Sequence, residues 1–373
     1  MTDAAPEEPK RILIIRLSAL GDVLLATPAA RLITERFPKA AVHWLVEAPY
    51  APLLEGLPYV ERVIPYDKRG AHRGIAGLWA MRRLLDQNGY GLAIDLQNKP
   101  KTAFLRQTAP RSLVFRKRTA GEAFLSLLGR EKPLVKGHAT ALFAEALAPL
   151  GIQVPSGAEA LTPDLPLTDA MRSEAGSAGI PQPLDRPLVG LATGTRWATK
   201  CWPADSFARL AQRLESQGCG ILLIGSPGDR PAFGVVRSAL SSPDACRDTS
   251  MLSVAGLAGA IARCSLVISG DSGPAHIAAA LGRPTLALFG PTSPIRWAPQ
   301  GPRARFVSLG LPCSPCSNYG GRECPLGTHA CLREMSVGTV FGQALDLLGM
   351  APKVSGSRGP MSEGGLPDGT PDS

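Results

Sequence analysis

Several features are missing from this chain of 373 residues, and each absence closes off a class of function. No apolar run reaches the roughly 18 residues that a membrane span requires. The opening MTDAAPEEPK is acidic and contains proline, and Arg16 interrupts the apolar run behind it. No secretory signal is therefore expected, and the expected location is the cytoplasm. There is no Asp-x-Asp pair, which removes one common way of holding Mg²⁺ against a phosphate. Aromatic residues make up only 5 %, and the basic stretches carry no recognised nucleic-acid-binding motif, so no nucleic-acid partner is expected.

What remains is an ordinary soluble composition, 45 % hydrophobic and 19 % charged, long enough for two domains with a core each. The formal charge of +9 is uneven. Residues 99–136 hold ten basic side chains (Lys99, Lys101, Arg106, Arg111, Arg116, Lys117, Arg118, Arg130, Lys132, Lys136) against Glu122 and Glu131. Lys68, Arg69, Arg73, Arg82 and Arg83 precede them. A solvated basic face is the usual meaning of such runs. A phosphorylated partner at an anionic membrane surface fits equally, because focused positive potential attracts it.

The most informative segment is CSLVISGDSGPAHIAAALGRPTLALFGPT at 264–292. It reads as a strand (265–269), a glycine loop (270–274), a helix (275–281) and a second strand (284–289). Open α/β sheets bind ligands at such strand-to-helix loops, where free N–H groups and the helix dipole favour phosphate. Asp271 and Ser272 are placed to cap the helix. A second turn of the same kind, Ser18-Ala19-Leu20-Gly21-Asp22, follows an apolar strand at 11–17 and leads into a helical pattern over 23–37. The two turns lie about 250 residues apart, too far for one Rossmann-like unit of roughly 100–150 residues. The economical arrangement is α/β with two doubly wound domains sharing a central cleft.

Further strands are expected at 42–47, 62–66, 92–96, 188–191 and 221–224, and helical patterns around 78–85, 140–150, 207–217 and 337–348. The resulting division is an N-terminal extension (1–10), a first Rossmann-like domain (11–160), a proline-rich linker (161–187) and a second Rossmann-like domain (188–350). A Cys-rich insert (313–331) interrupts the second domain, and the tail (351–373) has too little apolar content to fold.

Four segments in order, RLSALGDVLLATPAARLITERFP, YGLAIDLQNKPKTA, TKCWPADSFARLAQRL and GDSGPAHIAAALGRPTLALFGPT, resemble those of glycosyltransferase family nine, the ADP-heptose:lipopolysaccharide heptosyltransferase family. The resemblance spans about residues 11–300. It implies a GT-B-like fold and an inverting transfer of heptose from ADP-heptose to a phosphorylated lipopolysaccharide inner-core acceptor, with no cofactor or active-site metal required. The basic first half adds an expected peripheral contact with the anionic inner face of the cytoplasmic membrane. Asp22 would be the general base, although capping is the commoner fate of an aspartate after such a turn. Lys200 would hold the donor's phosphates. Thr193, Gly194, Thr195, Asp271, Ser272, Gly273 and His276 would complete the donor site, with Arg196 a further candidate. His276 reads equally as a packing histidine. Asp229 would accept ribose hydroxyls, although Ser-Pro-Gly-Asp is also a plain turn. Ser18, Lys68, Arg69 and Arg73 would contact the acceptor. By resemblance to GT-B enzymes, the helix at 337–348 would cross back onto the first domain.

Cys313, Cys316, Cys324 and Cys331, with His329 nearby, form a cluster whose first pair has zinc-knuckle spacing. A structural zinc and reduced, packed thiols both remain open, while Cys201, Cys219, Cys246 and Cys264 are isolated and expected to be buried. Two other functions also stay open: another GT-B nucleotide-sugar enzyme, such as an epimerase, and a non-catalytic anion-binding protein.

Overall fold

The computed structural model describes residues 8–115, 137–155, 157, 159–181 and 186–351. The basic residues between 116 and 136 and the expected unfolded tail from 352 onward lie outside these described residues.

The first half builds a five-stranded sheet from β1 (Arg11–Ile15), β2 (Ala41–Glu47), β3 (Arg62–Tyr66), β4 (Leu92–Asp95) and β5 (Arg111–Val114), in the order β3-β2-β1-β4-β5. All its ladders are parallel. Alternation along each strand sends Ile12, Ile14, Trp44 and Ile94 to one face and Leu13, Ile15, Leu45 and Ala93 to the other, and both faces are covered. Burial on two sides explains why RILII is continuously apolar instead of alternating.

The second half forms a six-stranded parallel sheet from β6 (Leu188–Ala192), β7 (Gly220–Ile224), β8 (Arg247–Asp248), β9 (Leu266–Gly270), β10 (Thr285–Phe289) and β11 (Ala304–Ser308). Its order is β11-β10-β9-β6-β7-β8. Val189, Leu191, Leu223, Ile268 and Leu288 pack on one face, and Leu188, Leu222, Ile224 and Val267 on the other.

Chain direction across each sheet reverses at one place: between β1 and β4 in the first, and between β6 and β9 in the second. A crevice opens at the carboxyl ends of the strands at such a point. The loops at those ends are 16–19 after β1, 96–99 after β4, 193–200 after β6 and 271–272 after β9.

Three expectations need correction. The helical pattern over 23–37 is two helices, Leu20–Leu25 and Thr27–Arg36, because Pro28 cannot donate a backbone hydrogen bond to a preceding turn and so starts a helix instead of continuing one. Neither Asp271 nor Ser272 caps the helix Gly273–Ala280 with its side chain. Asp271 is held by Lys200 and Thr292, and Ser272 by Ser269. The helix Val337–Leu348 does not cross to the first sheet. Its Val340, Phe341, Ala344 and Leu345 pack with Leu210, Leu214 and Ile268 in the core of the second.

Contact between the halves comes from elsewhere. Leu24 and Leu53 share a buried cluster with Ile261, Ile277 and Ala278. The linker segment adds Met171 and Ala175, from the helix Asp169–Ser177, to that cluster. It is anchored on the first half at Asp164, which pairs with Arg31 and accepts the Tyr59 hydroxyl at 2.7 Å.

Candidate active site

The two crevices meet in one cleft of about 530 Å³. From the first half it is lined by Ser18, Ala19, Gly21, Asp22, Leu25 and Lys99, and from the second by Arg196, Trp197, Lys200, Asp271, Ser272, Gly273, His276, Trp297, Asn318 and Tyr319. The glycines of the two turns are needed for this meeting. A Cβ on Gly21 would stand 2.6 Å from the His276 ring, and one on Gly273 would stand 2.8 Å from Leu20 Cδ2. Each turn thus receives a side chain of the other domain.

Asp22 is held from two sides. Its Oδ1 pairs with the Arg16 guanidinium at 2.7 Å, and its Oδ2 accepts the Ala19 N–H at 3.3 Å. Arg16 is only 1 % exposed; it also donates to the Leu96 carbonyl and lies 5.1 Å over the Phe143 ring. The same carboxylate therefore supports the start of its helix and faces the cleft. Behind it, Gln97 Oε1 accepts the N–H of Leu17 at 2.7 Å and that of Ser18 at 3.3 Å, so the loop after β4 sets the loop after β1. Asp95 fixes that second loop in turn, accepting the N–H groups of Gln97 and Asn98 while pairing with Arg106 at 3.0 Å.

Opposite, Lys200 Nζ pairs with Asp271 Oδ2 at 2.8 Å, and the Thr292 hydroxyl donates to the same oxygen at 2.7 Å. His276 is buried between these groups. Burial pushes its imidazole below the ordinary histidine range and Lys200 acts in the same sense, against the pull of the Asp271 and Asp22 carboxylates. Among the described residues, His276 Nδ1 and Thr193 Oγ1 are buried with no hydrogen-bond partner. Orphaned polar atoms of this kind call for an explanation, and a bound polar ligand is one.

The remaining expected site residues lie off the cleft wall. Thr195 turns its hydroxyl to the Trp197 carbonyl at 2.7 Å. Asp229 caps its own turn, accepting Ser226 N–H at 2.7 Å and Ser226 Oγ–H at 2.9 Å, with its carboxylate against Gly194. Lys68 pairs with the buried Glu47 at 2.6 Å, while Arg69, in the turn after β3, and Arg73, just before the helix Gly74–Asp86, are exposed.

Sequence reasoning missed the Cys-rich insert's share of the site. Asn318 and Tyr319 line the cleft, and the Asn318 carbonyl holds the Trp297 indole N–H at 3.1 Å. The insert also grips the Lys200 loop: His329 Nε2 lies 2.7 Å from the Thr199 carbonyl, and Gly321 N–H donates to Thr199 Oγ1 at 2.8 Å. The four cysteines line one small pocket of about 30 Å³. Among the described residues no group of three or more His, Cys, Asp or Glu is arranged to hold a metal ion. Of the isolated cysteines, Cys219, Cys246 and Cys264 are buried and Cys201 is half-buried.

Two doubly wound domains closing their switch-point loops on one cleft form the GT-B architecture. Residues 78–326 match glycosyltransferase family 9 (heptosyltransferase), and the chain belongs to that family. It is 30 % identical over 331 residues to lipopolysaccharide heptosyltransferase 1 of Pseudomonas aeruginosa, covering 82 % of this chain and 86 % of that one. The structure of E. coli ADP-heptose lps heptosyltransferase II superposes with a TM-score of 0.68 at 25 % identity, over 91 % of this chain and 98 % of that one. The family 9 glycosyl transferase from Veillonella parvula has the same fold, with a TM-score of 0.75 at 23 % identity over 91 % of this chain and 97 % of that one.

Proposed function

We propose that this protein moves a heptose from ADP-heptose to a hydroxyl of a phosphorylated lipopolysaccharide inner-core sugar, with inversion and without a metal ion. The observation that carries the reading is the placement of Asp22 and the Lys200–Asp271 pair on opposite walls of one cleft, each delivered by a switch point of its own domain.

In this reading the diphosphate lies against Lys200 and the Gly273 N–H at the start of the helix Gly273–Ala280. The acceptor hydroxyl oxygen attacks the anomeric carbon, its proton passes to Asp22, and the bond from that carbon to the diphosphate oxygen breaks, releasing ADP. Lys200 and the helix dipole stabilise the charge that develops on the leaving phosphate, the task a metal performs elsewhere. Arg16 keeps the base oriented. The His276 ring, which lines the cleft, supplies a further polar group on the donor side, with Thr193 buried at the end of β6. Ser18 lines the acceptor side of the cleft, and Arg69 and Arg73, outside the cleft wall, add positive potential that draws an anionic acceptor toward it.

In this reading the Cys-rich insert is a brace, with Cys313, Cys316, Cys324 and Cys331 either reduced and packed or gathered around a structural zinc. Four thiols are a suitable donor set, and the ion would brace the insert without entering the reaction. No helix among the described residues is long and apolar enough to cross a membrane, and a lipid-anchored acceptor places the enzyme peripherally at the inner face of the cytoplasmic membrane.

The test is to incubate the protein with ADP-heptose and a heptose-deficient core acceptor in excess chelator, and to read the product by mass and by NMR at the new anomeric carbon. One added heptose of inverted configuration is expected. Retention, or loss of activity that Mg²⁺ restores, would overturn the mechanism.

A further inference from the structure

The helix Gly74–Asp86 shows two unlike faces. Gly77, Met81 and Leu85 are buried, with Met81 and Leu85 packed against the first sheet. On another line of the same helix, Ile75 is 77 % exposed and Trp79 is 52 % exposed. They are one turn apart, and exposed Arg83 follows one turn later. The indole is held in place: its ring meets Phe104 edge-on at 4.8 Å, and the Arg82 guanidinium lies over the same Phe104. Phe104 belongs to the helix Pro100–Leu105, which starts immediately after the cleft residue Lys99. The stripe therefore adjoins the wall of the cleft that carries Asp22.

The charge around the stripe is net positive, three arginines against the carboxylate of Asp67. Lys68 is neutralised by Glu47 and Arg82 by Asp86, while the Asp67 carboxylate accepts the N–H groups of Arg69, Gly70 and Ala71. Arg69, Arg73 and Arg83 are exposed and have no salt bridge among the described residues.

We propose that the Ile75–Trp79–Arg83 stripe, flanked by Arg69 and Arg73, docks this protein on an anionic lipid bilayer. Apolar and indole side chains that enter the headgroup layer, ringed by arginines that meet lipid phosphate, are the chemistry of an interfacial helix face. Several arginines without acidic partners suit an anionic lipid surface better than a protein surface of mixed charge. The orientation turns the acceptor side of the cleft toward the membrane. This rests on the proposed function only in supplying a reason for membrane contact; the binding is measured without turnover.

The full-length protein is sedimented with phosphatidylcholine vesicles, alone or containing phosphatidylglycerol. Sedimentation is expected with the anionic vesicles only, weakening as salt rises. Ile75→Asp and Arg83→Glu should each weaken it about tenfold while melting temperature and ADP affinity stay unchanged. Turnover of a deacylated, water-soluble acceptor should be unaffected by Ile75→Asp. The proposal is overturned if the wild type ignores anionic vesicles, if both variants bind them as the wild type does, or if Ile75→Asp raises the KM for the soluble acceptor. The last result would make the stripe an acceptor subsite. A wild type that binds vesicles but transfers no heptose would sink the proposed function and leave this inference standing.

Discussion

In the proposed mechanism Asp22 and Lys200 divide the work of the cleft, and their surroundings separate what each should do to binding and to rate. Asp22→Asn keeps one acceptor oxygen, for either the Arg16 guanidinium or the Ala19 N–H, and removes the base. ADP affinity should hold while turnover falls by about 10²–10⁴-fold, as general-base loss typically does. Calorimetry with ADP and initial rates on the same preparation read both quantities, and near-normal turnover would remove Asp22 from the mechanism. Lys200→Ala should weaken ADP itself by about tenfold to a hundredfold, the worth of one charge-assisted contact. Unchanged ADP affinity would rule that role out. The glycine turns carrying Asp22 and Asp271 were legible in the sequence because strand, glycine and helix succeed one another in a few residues. Arg16 was legible only as an interruption of an apolar run. Its pairing with Asp22 and its bond to the Leu96 carbonyl depend on β4 lying beside β1, which no local pattern encodes.

The Cys-rich insert shows at the scale of an element what local reading loses. Its spacing drew attention to thiols, whereas its contact with the site is made by backbone carbonyls and N–H groups at Asn318 and Gly321 and by the His329 ring. Changing all four cysteines to serine should lower the melting temperature. It should also raise the KM for ADP-heptose more than it lowers kcat, because the loop holding Lys200 loses its brace while Asp22 is untouched. Elemental analysis of the wild type decides whether zinc contributes, with about one ion per chain expected if it does. Unaltered stability and donor KM in the serine variant would make the cluster incidental. Strands β5, β8 and β11 escaped sequence reading for a related reason. They are short edge strands that open on Arg111, Arg247 and Ala304 and carry partly exposed side chains, so the apolar run that marks a central strand is missing.

Across the whole molecule, the two halves are joined by apolar packing and by a few polar contacts sensitive to acid. His138 caps the helix Ala139–Glu145, and its Nε2 lies 2.8 Å from the Ala298 carbonyl of the second half. Burial pushes its pKa down to about 4, so the folded protein keeps it neutral. The unfolded chain takes up that proton near pH 6.5 and the folded one only near 4, so the stability tied to a neutral His138 is complete above about pH 6.5. It is lost as pH falls toward 4, by up to about 3 kcal/mol. Buried His276 shifts in the same direction and adds to the loss. Melting temperatures measured between pH 7 and 4 should fall, and His138→Gln should flatten the fall. An equal slope in that variant would show that His138 is not a source of the acid sensitivity.

The two-domain architecture itself was readable from the 250-residue separation of two like turns, but the domain contact was not. The sequence pointed to the helix Val337–Leu348, and the structure instead uses Leu24, Leu53 and the linker helix, whose apolar residues look from sequence like ordinary core. Closing both domains on one reaction is the central claim, and acceptor-dependent release of ADP tests it most directly. ADP formation from ADP-heptose is followed with and without a heptose-deficient core acceptor, for the wild type and for Asp22→Asn. The account predicts rapid release only when the acceptor is present, and its near-abolition in the variant. ADP release at the same rate without acceptor, or none with it, would contradict the account.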